Sequence, residues 1–118
     1  MGTSTDTGKA IKVGVVGDIA DDAAIVVPRA IAGTVDDIAV VLSEGTYYAI
    51  DNTCTHEQTS LAEGWIEAGC VECPLHSSNF RLSDGAVLSL PAKTGVAVHT
   101  IEVVGEELML TPNPDRLA

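Results

Sequence analysis

Two short pairs of cysteine and histidine are the residues of this chain best suited to bind an inorganic centre. Cys54 and His56 form a Cys-x-His pair, and Cys73 and His76 form a Cys-x-x-His pair after sixteen intervening residues. A cysteine and a histidine so close in sequence must lie in one tight loop. Two such loops side by side can offer two thiolates and two imidazoles to one centre. Zinc and an iron–sulfur cluster are the chemical candidates.

The order of the ligands separates these candidates. Structural zinc sites usually pair like ligands at a spacing of about two to five residues. In a Rieske centre one iron takes two cysteines and the other takes two histidines, so each loop must supply one ligand to each iron. Mixed Cys/His pairs meet that requirement. The sequence therefore favours a Rieske-type [2Fe-2S] cluster bound by Cys54, His56, Cys73 and His76, with a zinc-binding structural module as the alternative.

The segments around these pairs carry the signals of short strands. Apolar runs rich in β-branched residues are separated by Gly, Asp and Pro, and they lie at residues 11–16, 23–27, 37–42 and 47–50. Residues 43–46 and 104–107 contain a glycine between two such runs and predict hairpin turns. No apolar pattern of helical period persists over three turns, so helix content should be low. The sequence predicts an all-β fold.

Length and local composition predict the domain organisation. A chain of 118 residues suits a single domain. Residues 1–10 are small and polar without periodicity, which predicts a disordered leader. Residues 51–91 hold the four candidate ligands and many turn residues. We therefore expect one domain over residues 11–118, with a metal-binding subdomain at about 51–91.

The charge of the chain limits its partners. Seventeen acidic and six basic residues give a formal charge of −11, which disfavours nucleic acid and anionic membranes. Such a surface suits docking on a positively charged protein, although acidity also serves solubility. No long apolar run and no secretory signal are present, so we expect a cytoplasmic protein. In that reducing compartment, three cysteines favour metal binding over disulfides.

Beyond the four ligands, the sequence resembles the Rieske-type [2Fe-2S] ferredoxins of bacterial aromatic-ring-hydroxylating dioxygenase systems. The similarity covers roughly residues 11–111 and includes both ligand pairs with their flanks, such as Leu-Ala-Glu-Gly at 61–64 and Val-Glu-Cys-Pro-Leu-His at 71–76. Further matches are the segments 38–45 and 48–52 and the residues Phe80, Asp84, Gly85 and Pro91.

This resemblance implies a fold and a function. The fold would be a Rieske fold, with a basal β-barrel or sandwich from residues 11–50 and 92–111 and a cluster-binding subdomain at 51–91. The protein would be a monomeric electron carrier of aromatic hydrocarbon catabolism and not itself an enzyme. It would pass single electrons from an NAD(P)H-dependent flavin reductase to a terminal Rieske non-haem iron oxygenase. The two histidine ligands would lie at an exposed tip, with Pro91 in a loop covering one side of the cluster.

Departures from high-potential Rieske proteins bear on the reduction potential. Those proteins join their cluster loops by a disulfide, but the matching positions here are Thr59 and Leu75. Their cluster-tuning Tyr is replaced by Phe80, and the usual Gly after the second histidine is Ser77, whereas Ser78 matches a position whose hydroxyl bonds cluster sulfur. The resemblance therefore implies a potential near the low end of about −150 to +300 mV.

Several other residues and a rival class complete the interpretation. The small subunit of an assimilatory nitrite reductase has a related fold but often lacks the ligands, so the full ligand set argues against that class. Cys70 and His99 are interpreted as strand residues without a site role. Trp65 is interpreted as a packing residue, with a solvent-facing partner contact as the alternative. The acidic residues of 51–91, set against a single Arg81, predict steering toward a basic partner; they are Asp51, Glu57, Glu63, Glu67, Glu72 and Asp84.

Overall fold

The computed structural model describes residues 10–55, 58–75, 78–90 and 92–118 and contains nine β-strands in these ranges. The strands are β1 (Ile11–Val15), β2 (Ala23–Val27), β3 (Ile38–Ser43), β4 (Thr46–Asp51), β5 (Trp65–Glu67), β6 (Cys70–Glu72), β7 (Asn79–Arg81), β8 (Val98–Val104) and β9 (Glu107–Thr111). One short helix, α1 (Arg29–Ala32), and two 3₁₀ turns, Leu61–Glu63 and Pro114–Arg116, are the helical elements described. The all-β prediction is confirmed.

Six strands form a curled antiparallel sheet in the order β1-β9-β8-β4-β3-β2. Its central strand β3 is Ile-Ala-Val-Val-Leu-Ser, a β-branched and aliphatic run that is buried at five of six positions. The predicted strands agree with β1 to β4 to within one residue at each end. This sheet provides the rigid base from which β4 leads directly into the first Cys/His pair.

Tight turns connect the hairpins at the positions that the glycines indicated. Between β3 and β4, Glu44 and Gly45 both have positive φ, 52° and 81°. Two consecutive residues of positive φ make the turn whose twist matches that of antiparallel strands. Gly105 has a φ of 65° in the turn between β8 and β9. Both predicted hairpins are confirmed.

Strands β5, β6 and β7 form a separate small antiparallel sheet. Its middle row pairs Ile66 with Val71 and Val71 with Phe80, and all three side chains are buried. Because side chains alternate across a strand, Trp65 lies on the opposite face, where it is 68% exposed. The interpretation of Trp65 as a packing residue is therefore wrong.

The buried apolar side chains form two clusters. One lies within the large sheet and includes Ile38, Leu108 and Leu110. The other joins that sheet to the small one through Ile50, Phe80 and several neighbours, and it contains Cys54 and Cys73. The candidate cysteine ligands are thus built into the core between the two sheets.

Two observations concern the chain as a whole. No helix among the described residues has the length and hydrophobicity needed to cross a membrane. The single domain over residues 11–118 and its subdomain at 51–91 stay predictions, as does the leader at 1–10, of which residues 1–9 lie outside the described part of the chain.

Truncating Leu110 to Ala should destabilise the base sheet. Leu110 is fully buried, so its removal should lower the free energy of unfolding by about 2–5 kcal/mol. Val104→Ala, on the neighbouring strand with a largely exposed side chain, is the matched control and should change stability by less than about 0.5 kcal/mol. Urea unfolding followed by circular dichroism measures both. Equal losses would contradict the assignment of this core.

Candidate metal centre

Two loops of equal length present the candidate cysteines. The first loop (residues 54–59) lies between Thr53 and Ser60, which form a β-bridge. The second loop (residues 73–78) lies between Glu72 and Asn79, which pair across β6 and β7. Each loop begins with its cysteine and ends with the residue that accepts the hydrogen bond of that cysteine's backbone N–H. The N···O distances are 3.0 Å from Cys54 to Thr59 and 2.7 Å from Cys73 to Ser78.

Both cysteines are buried, and they belong to the same core cluster. Cys54 is 2% exposed and Cys73 is 1% exposed. No disulfide joins any of the three cysteines of the chain. Cys70 is half-buried in β6 and lies one residue before the inward-facing Val71, so it is placed on the outer face of the small sheet. Its interpretation as a strand residue is confirmed.

The structure describes two of the four predicted cluster ligands, Cys54 and Cys73. His56, His76, Glu57, Ser77 and Pro91 lie outside the described residues, and within the described ranges no group of three or more His, Cys, Asp or Glu could hold a metal. The four-ligand assignment therefore stays a prediction. The described half of it fits a Rieske centre, because two thiols without a disulfide are brought into one buried cluster by two matching loops.

The carboxylate of Asp36 fixes the entry to the first loop. One oxygen accepts the backbone N–H of Thr53 at 2.9 Å, and the other accepts the Thr53 hydroxyl at 2.7 Å. Asn52 closes the loop base, since its Nδ2 donates to Ser60 Oγ at 2.9 Å and its Oδ1 accepts the N–H of Ala62. These bonds hold the two residues that immediately precede Cys54.

A buried carboxylate, Asp51, anchors the segment that precedes Cys54 to β8 and to the C-terminal turn. His99 Nε2 lies 2.8 Å from one of its oxygens, and the Arg116 guanidinium contacts the other at 2.6 and 2.8 Å. The backbone N–H of Asn113 donates to His99 Nδ1 at 2.9 Å. His99 Nδ1 is therefore an acceptor, and Nε2 carries the hydrogen that is donated to Asp51.

Two sequence interpretations are decided by this arrangement. His99 is a buried strand histidine, as expected, but it also supports Asp51. Asp51 was expected among the acids that steer a partner, and this is wrong. The Asp51 side chain is 7% exposed and both of its oxygens are bound within the protein, so it presents no charge for docking.

A third segment, residues 89–95, is tied to both loops. Ala92 N–H donates to Ser78 Oγ at 2.9 Å, and the Thr55 hydroxyl donates to the carbonyl of Thr94 at 2.5 Å. Close backbone packing of Gly85 and Gly95 brings this segment in, because a Cβ on Gly95 would lie 2.4 Å from the Gly85 carbonyl oxygen. Ser78, fully buried, thus links the end of the second loop to the third segment.

The remaining acids of the region differ in what they face. Asp84 is bonded to Arg81 at 3.0 Å, and this hydrogen bond lowers the pKa of the Asp84 carboxyl and raises the pKa of the Arg81 guanidinium. Glu63 and Glu67 are exposed and Glu72 is half-buried. Of the described acids predicted to steer a partner, these three form no ion pair with a lysine, arginine or histidine of the described residues.

Fold and loops together define an iron–sulfur protein of the Rieske type. The Rieske [2Fe-2S] domain matches this chain over residues 9–102, and the chain belongs to that family. The family's cofactor is a single [2Fe-2S] cluster.

Named relatives define the branch of the family. The ferredoxin component of the naphthalene 1,2-dioxygenase system of Pseudomonas aeruginosa is 31% identical over 74 residues, 63% of this chain and 71% of that relative. The 3-phenylpropionate/cinnamic acid dioxygenase ferredoxin subunit of Photorhabdus laumondii is 33% identical over 81 residues, 68% of this chain and 77% of that relative. The chain is thus an electron-carrying ferredoxin and not itself a catalytic enzyme.

A solved structure agrees with this assignment. A chain in the complex of reduced oxygenase and oxidized ferredoxin of carbazole 1,9a-dioxygenase superposes with a TM-score of 0.80 at 28% identity. The match covers 89% of this chain and 94% of that one. The predicted Rieske fold is confirmed.

Replacing Arg116 by Met should loosen the first loop. The change leaves the buried Asp51 carboxylate with His99 alone, and because Arg116 is itself partly exposed we expect a loss of about 1–2 kcal/mol in unfolding free energy. The visible absorbance of the purified protein should also decay faster on warming. Arg29→Met, at an exposed position on α1, should leave both measurements unchanged. An unchanged decay rate in the Arg116 variant would contradict the anchoring role.

Proposed function

We propose that this ferredoxin carries single electrons to the terminal oxygenase of a bacterial ring-hydroxylating dioxygenase system. It would hold its [2Fe-2S] cluster through Cys54, His56, Cys73 and His76. The observation that carries the proposal is the pair of matching loops, each closed by the backbone N–H of a buried cysteine, in a chain whose relatives are named ferredoxin components.

The cluster, when bound, supplies a one-electron redox couple, and the protein supplies its environment. Cys54 and Cys73 would provide the thiolate ligands from the core side, where burial excludes water. His56 and His76 would complete the set. The Asp36 and Asp51 networks hold the first loop in place, and the Ser78–Ala92 bond holds the second loop against the third segment. Rigid loops of this kind limit the rearrangement that accompanies a change of cluster charge.

The partners on either side of the carrier follow from the same proposal. The oxygenase is supported by the resemblance to a ferredoxin–oxygenase complex. Upstream, an NAD(P)H-dependent flavin reductase would supply the electrons. We propose that the protein works as a monomer in the cytoplasm and serves aromatic hydrocarbon catabolism.

The ligand assignment is tested by substituting each cysteine with serine. Cys54→Ser and Cys73→Ser should abolish the red-brown colour and the bound iron, because a hydroxyl is a poor replacement for a thiolate ligand. Wild-type protein should contain about two irons and two acid-labile sulfides per chain. Iron and sulfide analysis with visible absorption provides the measurement.

Cys70→Ser is the matched control, since Cys70 lies on the outer face of the small sheet. It should keep the full colour and iron content. Stoichiometric zinc without sulfide, in protein produced with ample iron, would overturn the proposal in favour of the zinc module. If Cys70→Ser lost its colour while Cys73→Ser kept it, the second cysteine ligand would be Cys70 and not Cys73.

Electron delivery should slow as ionic strength rises. The chain carries a formal charge of −11, and exposed carboxylates near the loops would attract a basic partner surface at a range that salt shortens. Glu57, beside His56, lies outside the described residues, so exposed Glu63 is the better probe. Glu63→Lys should lower the second-order rate of oxygenase reduction and leave the visible spectrum unchanged. Stopped-flow rates that are insensitive to both salt and this substitution would indicate that the acids serve only solubility.

A further inference from the structure

The outward face of the small sheet carries an exposed tryptophan among acidic residues. The strand register places Trp65, Glu72 and Asn79 in one row and Glu67, Cys70 and Arg81 in the next. Both rows lie on the face opposite to the buried Ile66–Val71–Phe80 row. Trp65 is the only tryptophan of the chain and one of its most exposed large apolar side chains. An aromatic ring so exposed in an edge strand lies outside the core that the described residues form.

A hollow of about 260 Å³ opens on this face. Its wall is formed by residues of the three strands and of the turn between β5 and β6: Trp65, Glu67, Ala68, Cys70, Glu72 and Asn79. The volume falls below the range of about 300–1,000 Å³ that is usual for small-molecule sites, so the hollow suits a single side chain better than a free ligand.

The chemistry of this wall favours a cation. Glu67 and Glu72 bring negative charge, and the indole of Trp65 offers the ring that binds cations best. Asn79 Oδ1 is buried and has no hydrogen-bond partner among the described residues, so turning this amide toward an incoming donor breaks no bond of that oxygen to them. A planar guanidinium can stack on the indole while it donates to carboxylates and an amide oxygen.

No lysine or arginine of the described ranges lines the hollow. Arg81 lies on the same face, but its Nε donates to Asp84 Oδ1 at 3.0 Å. Asp84 also accepts the N–H of Ala86, which fixes the carboxylate and, through it, Arg81. The acids of the hollow are therefore left for a cation from another molecule.

The hollow is built on rigid elements. Ala68 and Gly69 both have positive φ, 53° and 77°, and form the tight β5–β6 turn. Gly69 N–H donates to the buried Ser43 Oγ at 3.0 Å, which ties this turn to the large sheet. Glu72 immediately precedes Cys73 at the start of the second loop. A partner seated here would therefore be held beside the proposed redox centre.

We infer that the Trp65 hollow receives an arginine side chain that the terminal oxygenase presents. This inference rests on the proposed function and names a specific contact within it. Trp65 supplies the contact area, and Glu67 and Glu72 supply charge complementary to the guanidinium. Exposed Trp and Arg are the residue types that dominate the binding energy of protein interfaces.

The test compares variants of the cluster-loaded protein. The test uses an oxygenase that the wild-type protein reduces. If the wild-type protein reduced no oxygenase, the proposed function would fail, and this contact would not be the cause. Trp65→Ala should raise the Kd for the oxygenase at least about tenfold, as expected for an interface hot spot. Trp65→Phe should retain part of the affinity because it keeps a ring. Ile31→Ala, at a side chain of similar exposure on α1, is the control and should leave the Kd unchanged.

Two matched charge-removing variants and a kinetic measurement distinguish a docking role of this face from a structural role. Glu67→Gln should weaken binding and reduce its salt dependence, whereas Glu102→Gln, the same change at an exposed site on β8, should not. In steady-state reduction of the oxygenase, Trp65→Ala should raise the KM for ferredoxin and leave the rate at saturation and the visible spectrum unchanged. Protein containing 5-fluorotryptophan reports on Trp65 alone, and its fluorine resonance should lose its solvent isotope shift when the oxygenase binds.

The contrary results are distinct. An unchanged Kd with both Trp65→Ala and Glu67→Gln would overturn the inference while leaving electron transfer intact. Weakened binding to the flavin reductase with normal binding to the oxygenase would overturn the assignment of the partner. Loss of cluster absorbance in Trp65→Ala would show a structural role for this side chain and would equally overturn it.

Discussion

The buried carboxylate of Asp51 is the contact on which the geometry of the first loop depends. A carboxylate removed from water is costly unless it is paired and hydrogen-bonded, and here His99 and Arg116 meet its two oxygens. These partners come from β8 and from the C-terminal turn, so the C-terminal segment is bonded to the last residue of β4. Three residues further on lies Cys54. The orientation of the first loop is thus determined by residues far from it in sequence.

The second loop reaches a similar geometry by different means. Its base is a regular pair of strands, β6 and β7, and its last residue, Ser78, accepts a hydrogen bond from Ala92. The first loop has only an isolated bridge at its base and is supported instead by carboxylate and amide side chains. In both loops, the backbone N–H of the cysteine donates to the carbonyl of the last loop residue, so the two loops match although different contacts support them. A centre that draws ligands from both loops is held by two scaffolds that are joined through residues 89–95.

Sequence reasoning was accurate where the signal is local. Apolar runs rich in β-branched residues located β1 to β4, glycine located two hairpin turns, and the positions of Cys54 and Cys73 marked the start of both loops. It failed where tertiary contacts decide. Nothing near Arg116 indicates its bond to Asp51, which lies 65 residues away, and charge counting alone placed Asp51 on the surface. Trp65 was misassigned because β5 has three residues, too few for alternation to show which side is buried, and Ile66 occupies the inward position.

The acidic residues around the loops divide into two groups with different physical roles. Asp36, Asp51 and Asp84 accept hydrogen bonds from backbone or side-chain donors of this chain, and their charge is used within the molecule. Glu63 and Glu67 are exposed, and their charge is available to a partner. Asp51 and Asp84 are paired with arginines of this chain, so the charge that the described acids present to a partner is smaller and more localised than the formal charge of the segment suggests. Glu67 and Glu72 place part of this charge on the outward face of the small sheet, where Trp65 is exposed.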